Sequence, residues 1–371
     1  MATDAKKDWE AYVAREQERV TPLLAARSFT LDAEQPQTIG ERYLTRPIGS
    51  GRKVVLFGRR RSNGMRVVVK TSSETQGKDE LLHETRVHAM LSRIRFAYGT
   101  FALPEILLFD KQHGVLVTEY IEQEKSFLER PLKEQFALAL DAFKAQESTH
   151  ATTAEHWSEL ERLMKEHAHY VKPGEYRKIG EYAQDLVGLL ADEKELYSKI
   201  DALLNKVIEL LEARRETLER YDGFLTHWDF TPQNFRIRDD TLYLLDLTSI
   251  RFGNKYESWA RFINFMTLYN SPLAQALVEY VQLNRTEEEV NALRLMRAYR
   301  LVELIRYYAT WLGKTQGDTL ELAKARIAFW TEVLEAVLNG REVSEDVIDV
   351  YKNKRDALRT ADEKQRQRGL H

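Results

Sequence analysis

The sequence predicts an α+β chain of two unlike parts, a β-rich region at roughly 41–122 followed by a mainly helical region at roughly 123–340. Three observations carry this. Short apolar and β-branched runs bounded by turn residues crowd the stretch 43–122. After Pro131, apolar residues fall at helical spacing for most of the chain. One β-rich island, 224–246, interrupts the helices once.

At 371 residues the chain can bury two cores of ordinary size, and its 43% hydrophobic content suffices to fill them. The 55 Lys and Arg nearly cancel the 58 Asp and Glu, leaving a net charge of -3, so no overall basic field favours nucleic acid or an anionic membrane. The absence of cysteine excludes disulfides, thiolate chemistry and zinc-thiolate sites. The N-terminal stretch lacks the apolar core of a signal peptide, and nowhere do about 18 apolar residues run together. The expectation is a cytoplasmic protein with no nucleic-acid and no membrane partner; oligomeric state is left open.

The chain opens at 1–40 with a charged segment in which Trp9, Tyr12 and Val13 share a helical face, ahead of linker chemistry at 33–37. This reads as an appendage on the first lobe. Five β runs follow, YLTRPI, KVVLFG, MRVVVKT, PEILLFD and GVLVTEYI. Asn63-Gly64 separates the second and third, and 111–114 the fourth and fifth, each a hairpin-turn signal. Between the third and fourth lies DELLHETRVHAML, which sets Leu81, Glu84, Val87, His88 and Leu91 on one side of a helix.

Further helices are expected from Leu132, at 196–218, and at 256–269, 273–283, 287–313 and 317–338, with Gly340 as a stop. The charged tail, 341–371, is expected as a surface helix that frays. The island at 224–246 reads as two short hairpins.

Period-two alternation in Val67-Val68-Val69-Lys70 puts Val68 and Lys70 on one face of a strand. Glu84 points inward among apolar neighbours, where a lone carboxylate is costly and a lysine would offset that cost. Glu80 lies on the same helical face and is the alternative partner. The island itself places His227-x-Asp229-x-x-Pro232-x-Asn234 in a loop and Asp246 at the end of the next strand. A carboxylate, an amide five residues on and a second carboxylate form a set able to accept a proton and to hold a divalent metal on phosphate.

His227-Trp228-Asp229-Phe230-Thr231-Pro232-Gln233-Asn234 matches, at every fixed position, the H-x-D-x-x-P-x-N loop of the aminoglycoside phosphotransferase and choline kinase family. The chain resembles this small-molecule branch of the protein-kinase-like fold over most of 43–270. The resemblance implies a two-lobed fold with ATP in the cleft between a β-rich N-lobe and a helical C-lobe. It also implies transfer of the γ-phosphoryl group to a hydroxyl of a small molecule of the aminoglycoside, amino-alcohol or sugar type. Asp229 would accept or orient the acceptor's proton, His227 would brace the loop, and Asn234 and Asp246 would hold Mg²⁺. Lys70 would pair with Glu84 and meet the phosphates, and Val68 would lie against the base. Glu119 and Ile121 would read adenine through the main chain. Gly49, Ser50 and Gly51 would bring backbone N–H groups to phosphate oxygens, although the same three residues also fit an ordinary hairpin turn.

Two positions depart from the family's pattern. Trp228 stands where glycine is usual, and the later G-x-P-x-x-D reads Gly253 to Ser258, with serine in place of aspartate and Glu257 as a substitute brace. A cationic acceptor would need carboxylates, which the acidic stretches 155–161 and 175–185 could supply or could equally spend on solvent. Two other functions stay open at this point: a nucleotide-binding pseudokinase scaffold, and a protein kinase, for which no activation segment is visible in the short passage 247–259. Neither His83 with His88 nor His167 with His169 has metal-ligand spacing on a helix, and Tyr307, Tyr308 and Trp311 read as core or pocket wall.

Overall fold

A computed structural model describes residues 2–35, 53–94, 102–153, 156–165 and 193–359, with isolated residues between 179 and 190 and at 361 and 364. In chain order, helix α1 (Ala2–Ala26) precedes strands β1 (Phe29–Leu31), β2 (Val54–Arg60) and β3 (Arg66–Thr71), then helix α2 (Thr75–Arg93), then β4 (Ile106–Asp110) and β5 (Val115–Glu119). The strands form one antiparallel sheet in the order β1-β2-β3-β5-β4. The expected strand at 43–48 and the glycine-containing loop at 49–51 lie outside the described residues. Phe29–Leu31, a strand too short to show a period of its own, pairs with Gly58–Arg60 at one end of β2.

Both expected turns are present, with Gly64 and Gly114 at φ +71° and +63°. At Gly114 the carbonyl of Ser72 occupies the place a Cβ would need, so only glycine fits. Alternation along β3 divides its side chains as predicted. Val67 and Val69 join Val54, Leu56, Val115 and Val117 on a face covered by Trp9, Tyr12, Val20 and Leu24 of α1. Val68 and Lys70 face the other way, toward the second lobe. Polar contacts reinforce the docking of α1: Arg19 donates to Thr71 Oγ1 at 2.7 Å and to the His113 carbonyl at 2.6 Å, with Glu16 beside it.

The helical lobe begins with α3 (Leu132–Thr153), α4 (Trp157–Lys165), α5 (Lys194–Ala213) and α6 (Arg215–Arg220). Strands β6 (Phe224–His227), β7 (Phe235–Arg238), β8 (Thr241–Leu244) and β9 (Ile250–Gly253) interrupt it. It resumes as α7 (Glu257–Tyr269), α8 (Ser271–Asn284), α9 (Glu287–Leu312), α10 (Asp318–Leu338) and α11 (Glu345–Ala357).

The island contains one hairpin, not two. β7 and β8 close through Asp239 and Asp240, both at positive φ, whereas β6 pairs with β9, a strand beyond the island. The β7–β8 turn is a local feature, whereas the β6–β9 pairing joins residues more than twenty apart in the chain. Gly340 does end α10, at φ +62° with Arg341 N–H donating to the Ala336 carbonyl at 2.9 Å. The following helix α11 is docked rather than frayed: Ile348 and Tyr351 are buried, and Tyr351 stacks on Phe329 with ring centroids 4.4 Å apart.

Aromatic packing seats the island on the helical lobe. Phe143 stacks on Trp259 at 4.0 Å between centroids, and Phe230 stacks on Phe235 at 5.3 Å. The lobes are stitched by backbone bonds from Ala102 N–H to the Leu242 carbonyl and from Leu244 N–H to the Ala102 carbonyl, each 2.9 Å. No helix among the described residues is long and apolar enough to cross a membrane.

Candidate active site

A cavity of about 320 Å³ opens between the sheet and the island. Val68, Lys70 and Glu84 line it from the N-lobe, Glu119 and Ile121 from the connection, and Asn234 and Asp246 from the C-lobe. Lys70 Nζ donates to Glu84 Oε1 at 2.5 Å, with the carboxylate largely buried. Glu80, the alternative partner, is taken instead by Lys53, whose Nζ lies 2.9 Å from Glu80 Oε2. Lys53 also lines the cavity. Burial alone would lower its ammonium, but the carboxylates of Asp246, Glu80 and Glu84 outweigh that and hold its pKa above the ordinary value.

Asp246 ends the run after β8 in the left-handed region, at φ 51°. Burial would raise its carboxyl. The ammonium groups of Lys53 and Lys70 and the hydroxyl of Thr248, which donates to Oδ1 at 2.6 Å, hold it well below the usual carboxylate range. It is therefore a fixed anion facing two cations across the cleft.

The Asp229 carboxylate has both oxygens engaged. Arg261 Nε donates to Oδ1 at 2.9 Å, and Asn234 Nδ2 donates to Oδ2 at 3.0 Å and to the Asp229 carbonyl at 2.7 Å. Burial opposes ionisation there, but the Arg261 guanidinium prevails and lowers the pKa, with the charge of Asp246 pushing the other way. With the amide nitrogen of Asn234 committed to Asp229, Oδ1 is left as that residue's ligand atom.

His227 ties the loop to the Asp246 turn. Its Nε2 lies 3.1 Å from the Leu245 carbonyl and 3.2 Å from that of Asp246, so this nitrogen carries the proton and donates. Its backbone is held from the other side by Ser258, whose Oγ accepts from His227 N–H at 3.0 Å and donates to the His227 carbonyl at 2.9 Å. The serine is thus itself the brace. Glu257, suggested as a substitute, bonds Arg251 and lies beside Arg300.

Trp228 points into that same charged group. The guanidinium carbons of Arg251 and Arg300 sit 5.0 and 5.1 Å from its ring centroid, and Arg300 donates to its carbonyl at 2.8 Å. Where glycine is usual, the larger side chain has a built place behind the loop.

At the connection, Glu119 N–H donates to the Glu105 carbonyl at 2.9 Å and Tyr120 N–H to the Arg66 carbonyl at 3.1 Å. Ile121 N–H has no partner among the described residues. The acidic stretches 155–161 and 175–185 lie partly outside the described residues. Of their described members, Glu159 pairs with Arg93, Glu161 with Lys165 and Asp185 with Arg306. No cluster of three or more His, Cys, Asp or Glu able to hold a metal ion occurs among the described residues.

Lys53, Arg261 and Ser258 are the residues that sequence reasoning missed or undervalued. Lys53 alone left a signal, because alternation along β2 puts it on the side of Val55, the residue paired with Lys70. The other two act across more than thirty residues of chain.

No protein-family model matches the chain, and no curated protein matches its sequence. Solved structures do match. One is a thermostable mutant of an aminoglycoside phosphotransferase in ternary complex with ADP and hygromycin B, at TM-score 0.56 and 11% identity over 88% of this chain and 99% of that one. It shares the two-lobed fold of the small-molecule phosphotransferases. A macrolide 2'-phosphotransferase from Brachybacterium faecium aligns at TM-score 0.51 and 16% identity over 83% of this chain and 97% of its own. An ethanolamine kinase from Plasmodium vivax aligns at 0.50 and 12% over 77% and 81%. The three alignments cover between 77% and 88% of this chain.

Proposed function

We propose that this chain transfers the γ-phosphoryl group of ATP to a hydroxyl of a small molecule. The observation that carries the reading is that Lys70, Glu84, Asn234 and Asp246 line one interlobe cleft, with Asp229 hydrogen-bonded to Asn234. Lys70, oriented by Glu84, would meet phosphate oxygens, with Lys53 as a second cation beside it. The Glu119 amide is spent inside the protein, so its carbonyl and the unspent Ile121 N–H form the donor and acceptor pair that an adenine edge needs.

Asn234 Oδ1 and the Asp246 carboxylate are hard oxygen donors that fit Mg²⁺, an ion that keeps several waters and needs few protein ligands when phosphate is present. Mg²⁺ held there would offset the negative charge on the phosphate oxygens. Asp229, part exposed, is the group an acceptor hydroxyl can reach. Its lowered pKa makes it a weak base. It suits orienting the hydroxyl and taking the proton late, which is what a loose phosphoryl-transfer transition state asks.

The test is Mg²⁺-dependent ATP consumption with a panel of aminoglycosides, amino alcohols and sugars, read by mass spectrometry as a phosphate adduct. Turnover lost in Asp229→Ala supports the reading. Nucleotide binding without turnover on any acceptor would sink it in favour of a scaffold.

A further inference from the structure

A second cavity, of about 430 Å³, lies between α8, α9 and the turn after α10, and it shares no lining residue with the interlobe cleft. Its volume is that of a small-metabolite site. The wall is apolar where Val278, Val281, Leu293 and Val337 line it. Set into this wall, three residues apart on α9 and so on one helical face, are Arg294 and Arg297.

Neither guanidinium has an acid partner among the described residues. Arg297 Nε donates to Asn264 Oδ1 at 3.0 Å, and Asn264 Nδ2 donates back to the Arg297 carbonyl at 3.0 Å, a reciprocal clamp that fixes the side chain. Its two terminal nitrogens meet no acceptor among the described residues. Burial with no compensating carboxylate pushes its pKa down to about 10. Arg294 Nε is buried with no hydrogen-bond partner. Glutamates do line the cavity, but Glu279 accepts from Gln275 at 3.1 Å, and Glu342 and Glu345 are exposed. Arg341 turns away to Glu335, 3.7 Å distant. A partly buried cation left unpaired is costly, and an oxyanion accepting from two guanidinium forks is the ligand that offsets the cost.

We propose that this cavity binds a small organic anion, a carboxylate or phosphate head on an apolar body, with the head between Arg294 and Arg297 and the body on the valine wall. The site is separate from the nucleotide cleft and does not depend on the phosphotransfer reading.

The test is calorimetric titration of the full chain with hexanoate, hexyl phosphate and inorganic phosphate, repeated on Arg294→Met, Arg297→Met and Lys70→Met. The expected result is one saturable site for hexanoate or hexyl phosphate, the preferred head showing which oxyanion it takes. Affinity should fall at least tenfold in either arginine variant and stay unchanged in Lys70→Met. If Arg297→Met does not fold, because it breaks the Asn264 clamp, Arg294→Met decides alone. The proposal is overturned if none of the three probes binds, if inorganic phosphate binds as tightly as hexyl phosphate, or if binding survives the arginine variants.

Discussion

Arg261 Nε holds Asp229 Oδ1 at 2.9 Å, joining the first turns of α7 to the loop between β6 and β7. The guanidinium lowers the carboxyl's pKa against the effect of burial. Removing it raises that pKa, so the proton is retained at higher pH. Arg261→Ala should therefore move the acid limb of the kcat/KM profile to higher pH, with a smaller loss at pH 8 than at pH 5. A profile of unchanged shape would show that Arg261 is only structural.

Lys70 and Glu84 separate stability from chemistry. Lys70→Met leaves a buried carboxylate whose second oxygen already lacks a partner, and should cost about 3–5 kcal/mol in urea unfolding. Lys70→Met combined with Glu84→Leu removes both charges and should recover most of that stability while phosphotransfer stays lost. Recovery of activity in the double variant would contradict the role given to Lys70.

Ser258 is fully buried and bonds both backbone groups of His227. Ser258→Ala leaves a buried N–H unsatisfied and should destabilise the chain by about 1–3 kcal/mol. Because the same backbone carries Asp229, kcat should fall while the KM for ATP holds. Chemical unfolding and steady-state kinetics on one preparation check both.

Glu289 gives the acid side of the stability curve. Burial opposes its ionisation, but Lys255, the Tyr256 hydroxyl and the Thr286 N–H bring its pKa from 4.5 down to about 2. A depressed carboxyl contributes stability that is fully present above 4.5 and lost as pH falls toward 2. Glu289→Gln should lower stability at neutral pH and flatten the fall across that window. An unaltered slope would place the acid sensitivity elsewhere.

The β7–β8 turn holds Asp239 and Asp240 at φ 51° and 57°, a conformation that favours Asn-Gly. Replacing the pair by Asn-Gly should stabilise the chain by roughly 1 kcal/mol or less, seen as a higher melting temperature, without touching the cleft.

What sequence could and could not show follows from the range of each interaction. Alternation in β3 and helical spacing in α2 are local, so Lys70 and Glu84 were legible, and so was the loop from His227 to Asn234. The choice of Glu84 over Glu80 was legible only through the resemblance, because from the residues alone it depends on where Lys53 enters, a matter of strand register between β2 and β3. The brace by Ser258 was read as a missing carboxylate, since a hydroxyl that both donates and accepts serves the same backbone atoms without a charge. The partner of β6 could not be seen because β9 lies past the Asp246 turn. The docking of α11 was hidden by its charged surface, which leaves Ile348 and Tyr351, with Val347 partly buried beside them, to contact the core.

Helix α1 lies across the sheet face formed by Val54, Leu56, Val67, Val69, Val115 and Val117. Cutting the chain after residue 26 would therefore bare a greasy slab on the back of the strand that carries Lys70. Truncates beginning there should clump at concentrations where the intact protein stays dispersed, and fusion tags or crystallisation variants are better placed elsewhere.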